Sequence, residues 1–235
     1  MKNGVYRLAD HTFSLTSLHG AVHRMLRGFE SEERAEFSVT IAPEDIDFER
    51  ELSAEPYSDA YFETLAVYRK LAHALLRHDV LLFHASAVAV DGQAYLFAAP
   101  SGTGKSTHAA LWRELLGARA VMVNDDKPLL HVAARGVTVF GTPWSGKHGL
   151  HTNLAVPVRA VCLLHRASEN AITQVTPEAA LPVLLGQTYR PAAREELVHT
   201  LALVERLGES VSLWSLGCTP DITAARLAYE TMSEQ

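Results

Sequence analysis

The sequence predicts a mixed α/β chain: a strand-rich domain built around one strand–loop–helix unit, with a small α+β extension before it. Three observations carry this. The run Tyr95–Ala99 is apolar and strand-like, Pro100-Ser101-Gly102-Thr103-Gly104 is a loop of small residues, and a helix opens near Lys105. The hydrophobic period changes near residue 79, from a helical stripe to short apolar runs separated by hairpin signals. Finally, 48% of the 235 residues are hydrophobic and 20% charged, enough apolar material for a sizeable core and too much for a disordered chain. Residues 1–78 are therefore read as the extension and 79–235 as the larger domain.

In chain order, residues 4–16 mix apolar and polar positions as strands do, with Val5, Tyr6, Leu8, Phe13 and Leu15 apolar. Leu18 to Phe29 places apolar residues at 18, 22, 25, 26 and 29, which predicts a helix. Glu30 to Glu36 is a charged connection, and Phe37 to Ile41 alternates as a strand. The acidic stretch from Pro43 to Pro56 reads as a solvated loop or short helix. It lacks the glycine turn that folds carboxylates around a hard cation. Ser58 or Asp59 caps a long packing helix through about His78, and its histidines, His73 and His78, carry no catalytic assignment.

Past the boundary, Val80–Phe83 is an apolar run followed by His84, and Ser86–Val90 continues as strand. Asp91-Gly92 is a hairpin turn, and Gln93–Ala99 returns. Ser106–Leu116 is a helix stopped by Gly117, and Ala118–Val123 is a buried strand ending at Asn124-Asp125-Asp126-Lys127-Pro128. Leu129–Ala134 and Val137–Gly141 form a second hairpin about Arg135-Gly136. Thr142–Asn153 is polar and Gly-containing, hence a loop outside the core. Strands at Val156–Leu164, Ala171–Val175 and Val211–Leu216 are interleaved with three helices. The first is capped by Thr176 with Pro177 behind it, the second runs over Glu195–Leu207, and the third follows Thr219-Pro220-Asp221.

The chemistry concentrates at three places. Ser101-Gly102-Thr103-Gly104-Lys105-Ser106-Thr107, between a strand and a helix, has the form of a P-loop, in which backbone N–H groups and a helix N-terminus bind phosphate. Pro100 to Thr107 are thus the nucleotide-binding candidates. Lys105 supplies charge to the β/γ-phosphates, and the Ser106 hydroxyl is placed to ligate Mg²⁺. The motif wants Gly at position 99 and finds Ala99, so Ala99→Gly is expected to tighten nucleotide binding if the alanine distorts the loop. Asp125 and Asp126, at the end of a buried strand, are candidates for metal ligand, general base or both. His84, counted back from the Asp91-Gly92 turn, falls across from Ala98 and Ala99. It reads either as a phosphate or acid/base contact or as a core histidine satisfied by backbone.

His84, the strand–hairpin–P-loop, and Val123-Asn124-Asp125-Asp126 together resemble the catalytic half of HPr kinase/phosphorylase. The stretch from Phe83 to Leu130 is similar above all to HPr-kinase-related bacterial proteins, some of which phosphorylate small substrates or peptide serines. The similarity covers roughly residues 80–155. It implies the P-loop fold shared with phosphoenolpyruvate carboxykinases, a mixed sheet with packed helices, and ATP and Mg²⁺ as cofactors. It implies transfer of the γ-phosphoryl group to a hydroxyl of a small molecule or peptide. By this resemblance one aspartate takes the acceptor proton, with Asp125 favoured, and the other, Asp126, joins Ser106 at the metal. The family's Glu-Ile-Arg-Gly-Leu-Gly signature is absent, and Thr142–His148 stands in its place. Lys147, His148, His151 and Arg190 are candidate donors to the moving phosphoryl group or to an anionic substrate. Rival readings are a carboxykinase-like lyase and a nucleotide-binding accessory protein without catalysis.

The remaining expectations concern surroundings. A formal charge of −6 argues against nucleic-acid or anionic-lipid binding. The N-terminus has no apolar signal core, and no apolar run reaches membrane-spanning length, so a cytoplasmic protein is expected. Cys162 and Cys218, both in apolar runs, read as buried thiols. The resemblance is compatible with a homo-oligomer acting on a small-molecule or peptide acceptor.

Overall fold

The computed structural model of the chain describes residues 1–234 and has a mixed α/β architecture. It separates into two compact units, Met1–His78 and Asp79–Gln235.

In the first unit, strands β1 (Lys2–Leu8) and β2 (His11–Ser17) form a hairpin in register from Lys2↔Ser17 to Leu8↔His11. Its two turn residues, Ala9 and Asp10, both have positive φ, the geometry that matches strand twist. Strand β3 (Phe37–Thr40) adds parallel to β2. The helix predicted over residues 18–29 is only α1 (Ala21–Met25). Beyond it the chain turns at Gly28, with φ of 86°, and lies along β1 through Arg7 N to Phe29 O and Ser31 N to Val5 O. Leu26 and Phe29 are buried by that packing without needing a helix.

The acidic stretch folds as α2 (Pro43–Leu52), and the long helix is α3 (Asp59–Leu76), capped by Ser58 Oγ accepting from Tyr61 N. Inside α3, Glu63 is fully buried and accepts from the N–H groups of Leu18 and His19, which satisfies a carboxylate that burial would otherwise penalise.

The second unit is built on a sheet ordered β4–β8–β9–β10–β6–β5–β7, with β12 on β10 and β11 on β12. The strands are β4 (Val80–Leu82), β5 (Ala85–Val90), β6 (Gln93–Ala98), β7 (Ala120–Asn124), β8 (Leu129–Val132), β9 (Val137–Phe140), β10 (Ala155–Arg166), β11 (Ala171–Gln174) and β12 (Ser212–Cys218). Helix α4 (Lys105–Leu116) follows β6, and α5 (Pro177–Gly186), α6 (Arg194–Ser210) and α7 (Ile222–Ser233) complete the unit. The apolar run at residues 80–83 does not extend β5. It pairs instead with β8, from Val80↔His131 to Leu82↔Leu129.

Pairing directions fix where the chemistry can sit. β5 runs antiparallel to both β6 and β7, so β6 and β7 point the same way, and β10 is parallel to β6. The pairs Ala85↔Ala98, Ala87↔Asn124 and Leu163↔Ala98 therefore bring the entry to β5 and the exits of β6, β7 and β10 to one edge. That is the carboxyl edge of the parallel strands, where open α/β sheets carry their sites.

Beneath it, one core joins Phe97, Ala99, Trp112, Cys162, Trp214 and Leu216 to Ala225 and Ala228 of α7. Trp112 is fully buried, edge-on to Phe97 and Tyr229. His108 is buried beside it, and burial pushes its imidazole down to about 4. Cys162 is buried as expected, but Cys218 is only partly so. Burial raises both thiols, and neither is in a disulfide.

Candidate active site

The loop from Ala99 to Gly104 leaves β6 and enters α4. Gly102 and Gly104 take φ of 77° and 125°, a region closed to most L-residues. Thr103 N bonds Pro100 O, and the first-turn amides of α4 have no helical carbonyl to bond. Ala99 needs no such freedom: its φ is not positive, and it is fully buried in the core beneath the loop. The alanine in place of glycine therefore packs the loop down without distorting it, contrary to the expectation that Ala99→Gly would help.

Lys105 is 7% exposed, and its ammonium donates to Ala99 O at 2.9 Å. Burial pushes that ammonium below its ordinary value, against the attraction of Asp126 and then Asp125. Thr103, Gly104 and Ser106 are half-buried, and Ser101, Gly102 and Thr107 are exposed.

The carboxylates stand at the exit of β7 and are held differently. Asp125 is buried. Its Oδ1 accepts from Ser86 Oγ at 2.7 Å, and its N–H donates to Leu150 O. Asp126 meets His84 Nε2 at 3.3 Å and Lys127 Nζ at 2.7 Å. Burial works to raise the Asp126 carboxyl, but the His84 hydrogen bond and the Lys127 ammonium outweigh it and hold it at about 2.

The bend itself is made by Asn124, fully buried, whose Oδ1 accepts from the N–H groups of Asp126 and Lys127. Its Nδ2 donates to Thr142 O and Oγ1. Asn124 thus ties the carboxylates to the Thr142–Asn153 segment. That segment is not wholly outside the core, because Thr142, Trp144 and Ser145 are buried. Its exposed turn returns through Thr152 N to Val123 O.

Gln187 follows α5, is 8% exposed, and escapes a reading of motifs. Its backbone O accepts from His84 N at 2.7 Å. With its amide nitrogen set among the acceptors it faces, it donates to Ala99 O at 2.9 Å and to His84 Nδ1 at 3.0 Å. That bond leaves the ring proton on Nε2, directed at Asp126. No motif marks Ser86 or Arg166 either. Arg166, three residues past the Leu163↔Ala98 pair at the end of β10, donates its guanidinium to Gly102 O at 2.6 Å.

The candidate substrate residues divide. Gly146 lies against Asp126, since a Cβ there would come within 3.2 Å of the Asp126 Cβ, so the exposed Lys147 and His148 sit on a turn that borders the carboxylate. His151 bonds Ser145 Oγ at 2.9 Å and bridges to Asn124, and burial lowers its imidazole. Its ring is engaged in holding the segment. Arg190 is exposed, three residues beyond Gln187, with nothing described that ties it to the glycine loop. Chemically, the arrangement offers one buried ammonium, one carboxylate held strongly acidic, one sheltered carboxylate and a glycine loop at a helix N-terminus, on one edge of the sheet.

No curated protein matches the chain. Among solved structures it shows similarity to the Hpr(Ser) kinase/phosphatase from Coxiella burnetii, with 16% identity over 54% of this chain and 90% of that one and a TM-score of 0.31. No helix of the described residues is long and apolar enough to cross a membrane. Residues 60–195, more than half of the chain, match the family model described as SynChlorMet cassette protein ScmC, and the chain belongs to that family.

Proposed function

We propose that the chain is an ATP- and Mg²⁺-dependent kinase that transfers the γ-phosphoryl group to a hydroxyl of a small molecule or a peptide serine. The observation that carries this reading is the convergence of Lys105, Asp125, Asp126 and His84 at the glycine loop, from three places in the chain: the start of α4, the exit of β7 and the entry to β5. In this reading the loop from Pro100 to Thr107 and the Lys105 ammonium hold the phosphates. Ser106 and Asp126 have the oxygen donors Mg²⁺ prefers, and the ion would offset charge on the phosphates.

The two carboxylates take different roles. Asp126, held at about 2, is a poor proton acceptor and suits a metal or positioning role. Asp125 is the base. Its carboxylate takes the acceptor's hydroxyl proton as the acceptor oxygen forms a bond to the γ-phosphorus. The bond from that phosphorus to the β,γ-bridging oxygen breaks, and its electron pair leaves with ADP. Ser86 donates to Asp125 and orients it, and Gln187 and His84 orient Asp126. Lys147 and His148 border the site and are the residues we assign to an anionic acceptor.

A screen of hydroxyl metabolites and peptides with γ-labelled ATP tests the reading. Label transfer that disappears in Lys105→Ala, and in Asp125→Asn with nucleotide binding retained, is the expected result. ATP retained without turnover against any acceptor would point to the accessory role instead, and phosphoenolpyruvate formation from oxaloacetate to the lyase.

A further inference from the structure

We propose that the N-terminal unit carries a zinc-type metal site formed by His11, Glu36 and His78. One ligand atom from each lies within 4.8 Å of the others. The three come from different elements: the first residue of β2, the residue before β3, and the second residue past α3. They are far apart in sequence, and the parallel β2–β3 register, Phe13↔Phe37, sets His11 and Glu36 near one another.

The side chains are already partly arranged as ligands. His11 Nδ1 meets Glu36 Oε2 at 2.9 Å. The other carboxylate oxygen, Oε1, accepts from Thr12 N at 2.9 Å, which leaves Oε2 as the single oxygen turned to the cluster. An outer hydrogen bond of this kind orients first ligands in metal sites. The His11 and His78 rings lie 4.0 Å apart, tilted by 32°, and Phe37 stacks on His78 and Phe13 on Phe37. That aromatic column sets the two imidazoles side by side.

Two imidazoles crowded against one carboxylate form a nitrogen-rich donor set of the kind zinc takes, with a fourth position left for water or a ligand; Mg²⁺ and Ca²⁺ prefer oxygen donors. Tetrahedral zinc at about 2.0–2.1 Å from each ligand needs donors roughly 3.4 Å apart, a closure that half-exposed side chains can make by rotation. The end of α3 adds to this, since the carboxyl end of a helix favours a cation. Bound metal would staple the end of α3 to the adjoining ends of β2 and β3, adding to the bonds that Lys70 makes to Thr40 O and Glu63 to the Leu18 and His19 amides.

The test uses the full chain, stripped with chelator, titrated with zinc chloride by calorimetry and assayed for metal retained after gel filtration. Wild type is expected to keep about one zinc per chain, and Glu36→Gln and His78→Ala each to weaken binding at least about tenfold, since even outer-shell changes cost that much. His165→Ala, on an exposed strand end of the other unit, should bind as wild type does, and Mg²⁺ should not compete. Glu36→Gln keeps the side-chain shape, so its circular dichroism and melting without metal should match wild type. Failure of wild type to retain zinc, or undiminished binding by folded Glu36→Gln, would overturn the proposal.

Discussion

Asp126→Asn should cost the second unit about 2 kcal/mol of stability at pH 6, and the cost should fade as the solution is acidified. The folded carboxyl titrates at about 2 against 3.8 for the free group, and that difference at about 1.36 kcal/mol per unit gives the figure. Because the folded value is depressed, the contribution is complete above about pH 4 and is lost as pH falls through about 2. About half of it should remain at pH 3. Asp126 is 22% exposed at its side chain, so solvent screens the His84 and Lys127 interactions only in part.

All three tryptophans, Trp112, Trp144 and Trp214, lie in this unit. Their fluorescence during urea unfolding therefore follows it apart from the N-terminal unit. The wild-type minus variant difference therefore reports Asp126 together with its His84 and Lys127 partners. Equal stabilities at pH 6, or a gap that persists undiminished to pH 2, would refute the electrostatic account of this residue.

Two further substitutions probe the loops. Ala99→Gly removes a fully buried methyl and adds backbone freedom, and should lower the unit's stability by about 1 kcal/mol without tightening nucleotide binding, read by melting and calorimetry. Gly146→Ala places a Cβ 3.2 Å from that of Asp126 at φ of 69°; it should cost about 1 kcal/mol and slow label transfer, as the displaced carboxylate loses its bond to His84.

What could be read from the residues was whatever lay in one continuous stretch. The strand, glycine loop and helix around Lys105 follow from local spacing. The Asp91-Gly92 hairpin fixes the β5–β6 register, which ends at Ala85↔Ala98, one residue short of His84 and Ala99. The aspartates announce themselves at the end of an apolar run. Ser86, Arg166 and Gln187 do not, because each acquires its meaning through a pairing with a distant segment: β5 with β7, β10 with β6, and residues 187–189 with 82–84. No periodicity encodes which strands become neighbours. The helix predicted over residues 18–29 shows a different limit. Apolar spacing reports burial, and burial there is achieved by a turn and strand-like contacts instead of helical packing. His78, at the end of a helix and unremarkable alone, joins a cluster only once β2 and β3 lie side by side.

The turn at Gly146–Gly149 is anchored at both ends by bonds that do not involve its own side chains. Asn124 grips Thr142 on one side, and Leu150 and Thr152 pair with the β7 backbone on the other. The frame around Lys147 and His148 is thus independent of what those residues are. If the proposed kinase reading holds, an acceptor of different charge or size would be accommodated by rewriting two exposed positions while both aspartates stay where Asn124 and Ser86 put them. In engineering terms the chain separates the tool from its grip, and a small library at positions 147 and 148 is the direct test of whether that turn sets acceptor choice.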